Sequence, residues 1–204
     1  MAPLWSAIVP FKGSVAAKSR LHALYGVDGE DWARAFLSDI LDVLQVMPEI
    51  GKIVVVTSDA EVGSERPGIQ VIADNGGGLN EAILSGARAC SGKTIVIPAD
   101  LATLDLEDLT TLLAEALAIP FGFVRDAAGE GTSLLFVHDA AELTPQFGSD
   151  SASNHLICGA VEVHAPLTLR LDVDDAISLL AASGGLGAHA TRLLALAKNF
   201  PSNE

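Results

Sequence analysis

The sequence predicts an α/β fold in which a mostly parallel sheet lies between helices. Three observations lead to this prediction. Short apolar, β-branched runs alternate with longer segments whose apolar residues recur at helical spacing. Loops rich in glycine or charge follow several of the apolar runs. The 204 residues suffice for one large domain and are too few for two of comfortable size, so we expect a single domain over residues 1–204.

The first part of the chain alternates strand and helix. "SAIVPF" is short and apolar, as a buried strand would be, and "GEDWARAFLSDILDVLQVM" carries its apolar residues on one helix face. "KIVVVTSD" is a β-branched run that predicts a second buried strand. "IQVIADN" predicts a third, shorter one.

The middle of the chain continues this alternation. "GLNEAILSGARAC" predicts a helix entered from a glycine loop, and "KTIVIPAD" a fourth strand that ends at Asp100. "DLEDLTTLLAEALA" predicts another helix, with Asp105 as its N-cap. This order is typical of a mostly parallel sheet with helices on both faces.

The last part of the chain has a different pattern. "GFVRDAAGEGTSLLFVH" predicts two strands joined by a glycine-containing turn, and "VEVHA" predicts another short strand. We expect these strands to add an antiparallel edge to the parallel sheet. "DDAISLLAASGG" predicts a helix that ends at Gly184, and the polar tail "KNFPSNE" is expected to fray.

The composition argues against several classes of protein. With 26 acidic and 12 basic residues the formal net charge is -14, which argues against a nucleic-acid partner because such binding needs phosphate neutralisation. Every apolar run falls short of the roughly 20 residues that cross a bilayer, so we expect no membrane association. The first apolar stretch has no basic leader, which predicts a cytoplasmic protein. Cys90 and Cys158 lie far apart and are expected to be reduced core thiols.

The loop after the first strand is the first candidate site, because ligands bind open parallel sheets at the carboxyl ends of the strands. Its sequence, "PFKGSVAAKSRL", combines Gly13 with Lys12, Lys18 and Arg20, three of the 12 basic residues of the chain. Backbone N–H groups and positive charge suit a phosphate chain. The Walker A pattern is absent, and an ordinary solvated loop is the competing interpretation.

A glycine run at "DNGGGLNEA" is the second candidate site. Gly77 and Gly78 would let the backbone approach a flat ligand closely. Asn80 offers both a donor and an acceptor, as recognition of a purine or a ribose requires. A flexible connection is the alternative interpretation.

Three aspartates that follow strands form a candidate metal site. Asp100 comes directly after an apolar strand, where it could hold Mg²⁺ or cap the next turn. Asp172 and Asp174 alternate on an extended segment, so both would point to one face. Two like charges so placed need a cation between them, although Asp174 or Asp175 could instead cap the following helix.

Two further segments, "GEGTSLL" and "FGSDSASNH", are rich in glycine and hydroxyl groups. Backbone N–H and side-chain O–H donors of this kind suit a carboxylate or a phosphate. His155 could contact an anion, although a lone histidine is more often a structural residue.

Taken in order, these segments resemble the phospholactate and phosphoenolpyruvate guanylyltransferase family of coenzyme F-420 biosynthesis. The resemblance runs from Ile8 to about Ala181 and includes "VPFKGSVAAKSRL", "GGLNEAI", "PADLATL", "GEGTSLL", "FGSDSASNH" and "LRLDVDDAISL". It implies the Rossmann-like, three-layer nucleotidyltransferase fold of the nucleotide-sugar enzymes. It also implies transfer of GMP from GTP to the phosphate of a three-carbon acid, with release of pyrophosphate. Phosphoenolpyruvate is favoured, with 2-phospho-L-lactate and 3-phosphoglycerate left open.

The resemblance also implies roles for individual residues. The expected Mg²⁺ ligands are Asp100, Asp172 and Asp174. The contacts to the acid that it implies are Thr132, Gly148 and Ser151, and the residue chemistry described above adds His155. The contacts to GTP that it implies are Lys12, Lys18, Arg20 and Asn80, and the residue chemistry adds Gly13, Gly77 and Gly78. Lys18, Arg20 and Asp100 would be the catalytic residues.

The chain departs from the family pattern at two places. Ala102 stands where the family commonly has proline, and "DVDDAISL" stands where it has "DVDTPEDL". Rival interpretations are a molybdopterin guanylyltransferase, a sugar-phosphate enzyme, or a non-catalytic nucleotide-binding module. A dinucleotide oxidoreductase is disfavoured because G-x-G-x-x-G does not follow the first strand. The number of metal ions and the oligomeric state stay open, and a homodimer is compatible with the sequence.

Overall fold

The computed structural model describes residues 4–12, 21, 27–59, 61–62 and 66–197. The strands are β1 Trp5–Phe11, β2 Ile50–Thr57, β3 Ile69–Ala73, β4 Thr94–Val96, β5 Phe121–Arg125, β6 Thr132–Val137 and β7 Val161–Glu162. The α-helices in these ranges are α1 Gly29–Val46, α2 Leu79–Ala87, α3 Leu106–Glu115, α4 Ser151–Ile157, α5 Ala176–Ala182 and α6 Ala188–Ala197. Short 3-10 helices lie at Ala116–Ala118, Ala140–Glu142 and Leu167–Leu169.

The strands form one seven-stranded sheet in the order β3-β2-β1-β4-β6-β5-β7. β1 lies in the middle and pairs in parallel with β2 and β4, with Ile8 opposite both Val54 and Val96. β6 is antiparallel to both of its neighbours, β4 and β5, and β7 pairs in parallel with β5. The predicted mostly parallel sheet is therefore confirmed.

The expected antiparallel edge is wrong in its position. The antiparallel strand β6 lies inside the sheet, between β4 and β5. The reason is the short turn between β5 and β6, which brings the two strands in as a hairpin. β6 takes the place beside β4, and the last strand, β7, then adds in parallel outside β5.

Helices cover both faces of the sheet. Alternate side chains of β1 enter different cores, since Ala7 and Val9 pack with α1 and α3, whereas Ile8 packs with α2. Ile83 of α2 is fully buried in the second core. Burial of one such side chain contributes roughly 1.5–3 kcal/mol to folding, so both layers are held by substantial apolar contact.

The predicted helix starts are also present. The Asp105 side chain caps α3 by accepting from the backbone N–H groups of Glu107 and Asp108, at 2.9 and 3.1 Å. Asp175 caps α5 and accepts from Ser178 N–H at 2.8 Å, in a reciprocal capping box. α5 ends at Ala182, with Ser183 as its C-cap, two residues before the predicted stop at Gly184.

Two helices were not predicted. α4 begins after Asp150, whose backbone is left-handed with φ of 54°, and it occupies the hydroxyl-rich segment that the sequence suggested only as a binding loop. α6 begins where Asp39 of α1 accepts from the backbone N–H groups of His189 and Ala190, at 2.8 and 2.9 Å. No helix among the described residues has both the length and the apolarity to cross a membrane. The tail expected to fray, residues 198–204, lies outside the described ranges.

Candidate active site

Two adjoining cavities lie where β1 and β4 end. The first cavity, of about 290 Å³, is lined by Lys12, Asp74, Gly78, Leu79, Asp100 and Asp174, among others. The second cavity, of about 240 Å³, is lined by Asp126, Thr132, Gly148, Ser151 and Asp172, together with Leu79 and Asp100. Asp100 therefore lies at the junction of the two cavities.

The segment around Val173 lies against the end of β4. The backbone N–H of Val173 donates to the carbonyl oxygen of Asp100 at 3.1 Å, and the Val173 side chain is fully buried. The flanking carboxylates are then left at the cavities, Asp172 at the second and Asp174 at the first. The structure thus brings together the three aspartates that the sequence singled out.

The charged neighbours that act on Asp172 in this cluster are all carboxylates. The pKa of Asp172 is raised, chiefly because burial removes water from its carboxylate and next because of the negative charge of Asp100. Asp174 and Asp126 add to the same effect. A cluster of carboxylates that are half-buried or exposed at the cavities and repel one another is chemically suited to a hard divalent cation.

A second cluster, of two aspartates and a histidine, is more compact than the three aspartates at the cavities. Among the described residues, Asp39, Asp42 and His189 are the group whose ligand atoms all lie within 4.8 Å of one another. Asp39 is already engaged in capping α6, and Asp42 forms an ion pair with Arg66 and a hydrogen bond with His189. These contacts explain the group as a structural link between α1 and α6.

The first cavity carries part of the predicted nucleotide site. Lys12 lines it, whereas Gly13, Lys18 and Arg20 lie outside the described residues. Gly78 lines it too and, as the N-cap of α2, has φ of 92°, a conformation that glycine adopts without strain. Gly77 directly precedes it.

Asn80, in the first turn of α2, bonds across to the second cavity. Its Nδ2 donates to the carbonyl oxygen of Phe147 at 3.0 Å, and its Oδ1 accepts from the N–H of Phe147 at 2.9 Å. Phe147 directly precedes Gly148, so Asn80 ties the glycine loop of the first cavity to a wall of the second. Its expected contact with guanosine stays a prediction.

The second cavity brings together three of the residues expected to contact the acid. Thr132 begins β6, Ser151 begins α4, and Gly148 lies between those elements with φ of 132°. All three line the cavity together with Asp172.

His155 lies behind this wall. Its side chain is fully buried, with Nδ1 2.8 Å from Thr132 Oγ1 and Nε2 accepting from the N–H of Gln146 at 3.0 Å. Burial lowers the pKa of His155 to about 4. His155 was expected to contact the acid directly. Both of its ring nitrogens instead have partners within the protein, so this geometry leaves neither nitrogen for the acid.

The sequence that supplies these cavity residues also matches a known protein family. The model of the family "Guanylyl transferase CofC like" matches residues 5–180 of the chain. The chain belongs to this family. The resemblance seen in the sequence is thereby confirmed over most of its length.

Relatives of this guanylyl transferase carry more specific names. It is 40% identical over 191 residues to a phosphoenolpyruvate guanylyltransferase of Streptomyces coelicolor, covering 89% of this chain and 87% of that protein. It is 38% identical over 197 residues to phosphoenolpyruvate guanylyltransferase 2 of Rhodococcus jostii, covering 93% and 90% of the two chains.

Solved structures confirm the fold class. A putative nucleotide-diphospho-sugar transferase of Desulfovibrio desulfuricans superposes with a TM-score of 0.73 at 14% identity, covering 95% of this chain and 96% of the other. A 4-diphosphocytidyl-2C-methyl-D-erythritol synthase of Anaerococcus prevotii gives 0.60 at 12% identity, covering 94% and 96%. At such low identity these likenesses establish the three-layer nucleotidyltransferase fold alone.

Asp126, which was not among the residues predicted for the site, also lines the second cavity of this guanylyl transferase. Its Oδ1 accepts from the N–H groups of Gly129 and Glu130 at 2.6 and 3.0 Å, and its Oδ2 accepts from that of Gly131 at 2.8 Å. The carboxylate thus fixes the turn that leads into Thr132. The run "DAAGEG" carried the signal, since an aspartate before glycines is typical of such turns.

Proposed function

We propose that this chain transfers GMP from GTP to the phosphate of phosphoenolpyruvate and releases pyrophosphate, as a step of deazaflavin coenzyme biosynthesis. The observation that carries the proposal is the junction of the two cavities at Asp100. A transferase needs two substrates held with their reacting atoms in contact, and two adjoining cavities with a shared carboxylate suit that task. The names of the relatives favour GTP and phosphoenolpyruvate.

The proposed reaction is an in-line displacement at phosphorus. A phosphate oxygen of the acid attacks the α-phosphorus of GTP and forms a new P–O bond. The bond between that phosphorus and the oxygen bridging to the β-phosphorus breaks, and pyrophosphate leaves with the electron pair. A phosphate monoester is already an anion near neutral pH, because its second pKa is about 6, so no strong general base is needed.

The first cavity would hold GTP. Lys12 and, further along the sequence, Lys18 and Arg20 would neutralise the triphosphate and the charge that develops on the leaving pyrophosphate. Gly13, Gly77 and Gly78 would let backbone N–H groups approach the nucleotide. Asn80 is proposed to contact the guanosine. Its two bonds to Phe147 use one N–H and one oxygen lone pair of the amide, and the second N–H and the second lone pair would serve the nucleotide.

Mg²⁺ is proposed as the cofactor, held by Asp100, Asp172 and Asp174. The donor set fits, because carboxylate oxygens are the ligands that Mg²⁺ prefers, and the pKa of Asp172 is raised by burial and then by neighbouring negative charge that a cation would balance. When bound, the ion would supply Lewis-acid stabilisation of phosphoryl oxygens. The three aspartates would hold the positive charge of the ion at the junction of the two cavities.

The second cavity would hold the acid. Its volume is about 240 Å³, and its lining includes the hydroxyl groups of Thr132, Ser133 and Ser151. Thr132, Gly148 and Ser151 would receive the carboxylate through hydroxyl and backbone donors.

The test is a mass-spectrometric product assay. The protein is incubated with GTP and Mg²⁺ and, separately, with phosphoenolpyruvate, 2-phospho-L-lactate, 3-phosphoglycerate, a sugar phosphate and molybdopterin. We expect a guanylylated adduct and stoichiometric pyrophosphate with phosphoenolpyruvate. Pyrophosphate release with molybdopterin or the sugar phosphate would favour those rivals. Nucleotide binding without pyrophosphate release from any mixture would indicate a non-catalytic module.

A further inference from the structure

The hydrogen bonds of the buried His155 imidazole indicate which tautomer it adopts. The N–H of Gln146 points at Nε2 from 3.0 Å, and a backbone N–H can only donate. Nε2 must therefore present a lone pair and carry no proton. The ring lies between Phe123 and Phe147, with centroid distances of 5.8 and 5.4 Å, and is excluded from water.

The ring is also neutral at physiological pH. Burial disfavours the charged imidazolium and lowers the pKa of His155 to about 4, although the backbone of Ser151 acts in the opposite sense. A neutral ring with an unprotonated Nε2 carries its proton on Nδ1. Nδ1 lies 2.8 Å from Thr132 Oγ1, so Nδ1–H donates to the threonine oxygen.

This donation fixes what Thr132 can offer to the second cavity. A hydroxyl has one hydrogen, and because Oγ1 accepts from His155, that hydrogen is free to donate elsewhere. The other tautomer would force Thr132 to donate to Nδ1 and to present lone pairs to the cavity. Thr132 is 8% exposed and lines that cavity.

We infer that His155 is a positioning residue that holds the Thr132 hydroxyl as a hydrogen-bond donor into the second cavity, and thereby selects a ligand group that only accepts hydrogen bonds, such as a carboxylate. The inference rests on the proposed function for the identity of the ligand. It assigns the selection to a buried residue that never touches the acid. The nearby negative charges of Asp172 and Asp126 make such a donor valuable, because an anionic ligand here needs every available donor.

A matched pair of substitutions tests the inference. In His155→Asn the amide nitrogen can take the place of Nδ1 and still donate to Thr132. In His155→Gln the longer side chain can accept from Gln146 with its carbonyl oxygen, but it leaves the Nδ1 position without a donor. We expect His155→Gln to raise KM for phosphoenolpyruvate about 10- to 100-fold, the range for a lost hydrogen bond to a charged group. KM for GTP should stay near its wild-type value, and His155→Asn should restore most of the affinity for the acid.

Thr132→Val completes a double-mutant cycle. Since His155 acts through the Thr132 hydroxyl, adding His155→Gln to Thr132→Val should cause no further loss. Circular dichroism and thermal melts of each variant establish that it is folded. Equal losses in His155→Asn and His155→Gln, or additive losses in the double variant, would overturn the inference.

Nitrogen NMR of the unliganded wild-type protein at neutral pH reads the tautomer directly. The His155 Nδ1 resonance should be that of a protonated nitrogen and the Nε2 resonance that of an unprotonated one. The reverse assignment would refute the inference whatever the enzyme's substrate. If the NMR result holds but the wild-type protein guanylylates none of the acids, the proposed function fails and the assignment of Thr132 as donor stands.

Discussion

The side-chain amide of Asn80 and the main chain of Phe147 exchange two hydrogen bonds, of 3.0 and 2.9 Å, between positions 67 residues apart. Asn80 follows the glycine loop of the first cavity, and Phe147 precedes Gly148 of the second. The two substrate cavities of the proposed reaction therefore share a direct structural link. Changes at one cavity should be felt at the other.

Asn80→Ala should weaken both cavities at once. The substitution leaves the N–H and carbonyl of the half-buried Phe147 without these partners, which costs at most about 1–3 kcal/mol for each group, the range for fully buried groups left unpaired. We expect a lower melting temperature and a higher KM for the acid as well as for GTP. Thermal melts and steady-state kinetics measure these effects, with Asn75→Ala, at an exposed position of the same loop, as the stability control. A normal acid KM in folded Asn80→Ala would show that the link does not shape the second cavity.

Asp172→Asn should exchange activity for stability. The raised pKa of Asp172 means that its ionised form is disfavoured in the folded protein. The stability that this group supplies in acid, where it is protonated, is lost as pH rises through its folded pKa. Neutral asparagine should therefore raise the melting temperature in EDTA at pH 7, while GMP transfer falls about 100-fold or more, on the scale of one lost electrostatic stabiliser.

The control for that experiment is Asp31→Asn, an exposed carboxylate in the first turn of α1, which should change neither quantity appreciably. Added Mg²⁺ should raise the melting temperature of the wild-type protein more than that of Asp172→Asn. A metal-free Asp172→Asn protein less stable than the wild type would contradict the assigned repulsion.

His155 should make folding stability depend on pH in a defined window. Its folded pKa of about 4 lies below its ordinary value of 6.5, so between these values the unfolded chain binds a proton that the folded protein does not. The free energy of unfolding should fall by up to about 3 kcal/mol as pH drops from 6.5 to 4, with no contribution from this group above 6.5. The measurement is urea unfolding of the wild type and His155→Asn at several pH values. Parallel pH profiles would exclude this role of His155.

Gly131→Ala should damage the second cavity through the turn that precedes Thr132. A Cβ at Gly131 would collide with Oδ2 of Asp126, the atom that accepts the Gly131 N–H. We expect a loss of about 1–3 kcal/mol in stability, as for other overpacked sites, and a higher KM for the acid. Gly184→Ala is the matched control, because a Cβ there meets no atom within 4 Å, and it should be neutral or slightly stabilising. Equal behaviour of the two variants would show that the turn adapts without cost.

Local patterns in the sequence were sufficient for most of the fold. The apolar periodicity of α1 and the β-branched run of β2 are each contained within one segment, and so are the caps supplied by Asp105 and Asp175. α6 could not be predicted in this way because its cap, Asp39, belongs to α1, 150 residues before His189. α4 is short, and its stabilising contacts come from β5 and from the segment around Phe147.

The sequence likewise predicted the residues of the candidate site better than their arrangement in space. Asp100, Asp172 and Asp174 were recognisable because each follows or interrupts an apolar, extended run. Their distribution over two cavities depends on the pairing of Val173 with Asp100, which is a contact between distant segments. The position of His155 behind Thr132 likewise depends on packing, since nothing in the order of residues shows which nitrogen accepts from Gln146.

The hydrogen bond from Val173 to Asp100 joins the aspartate segments through main-chain atoms alone. Side-chain substitutions at Asp100, Asp172 or Asp174 leave both of its atoms in place. The charge of the site can therefore change while its framework persists. For protein engineering, this means that the charge of the proposed Mg²⁺ site can be varied one residue at a time while this main-chain hydrogen bond is kept.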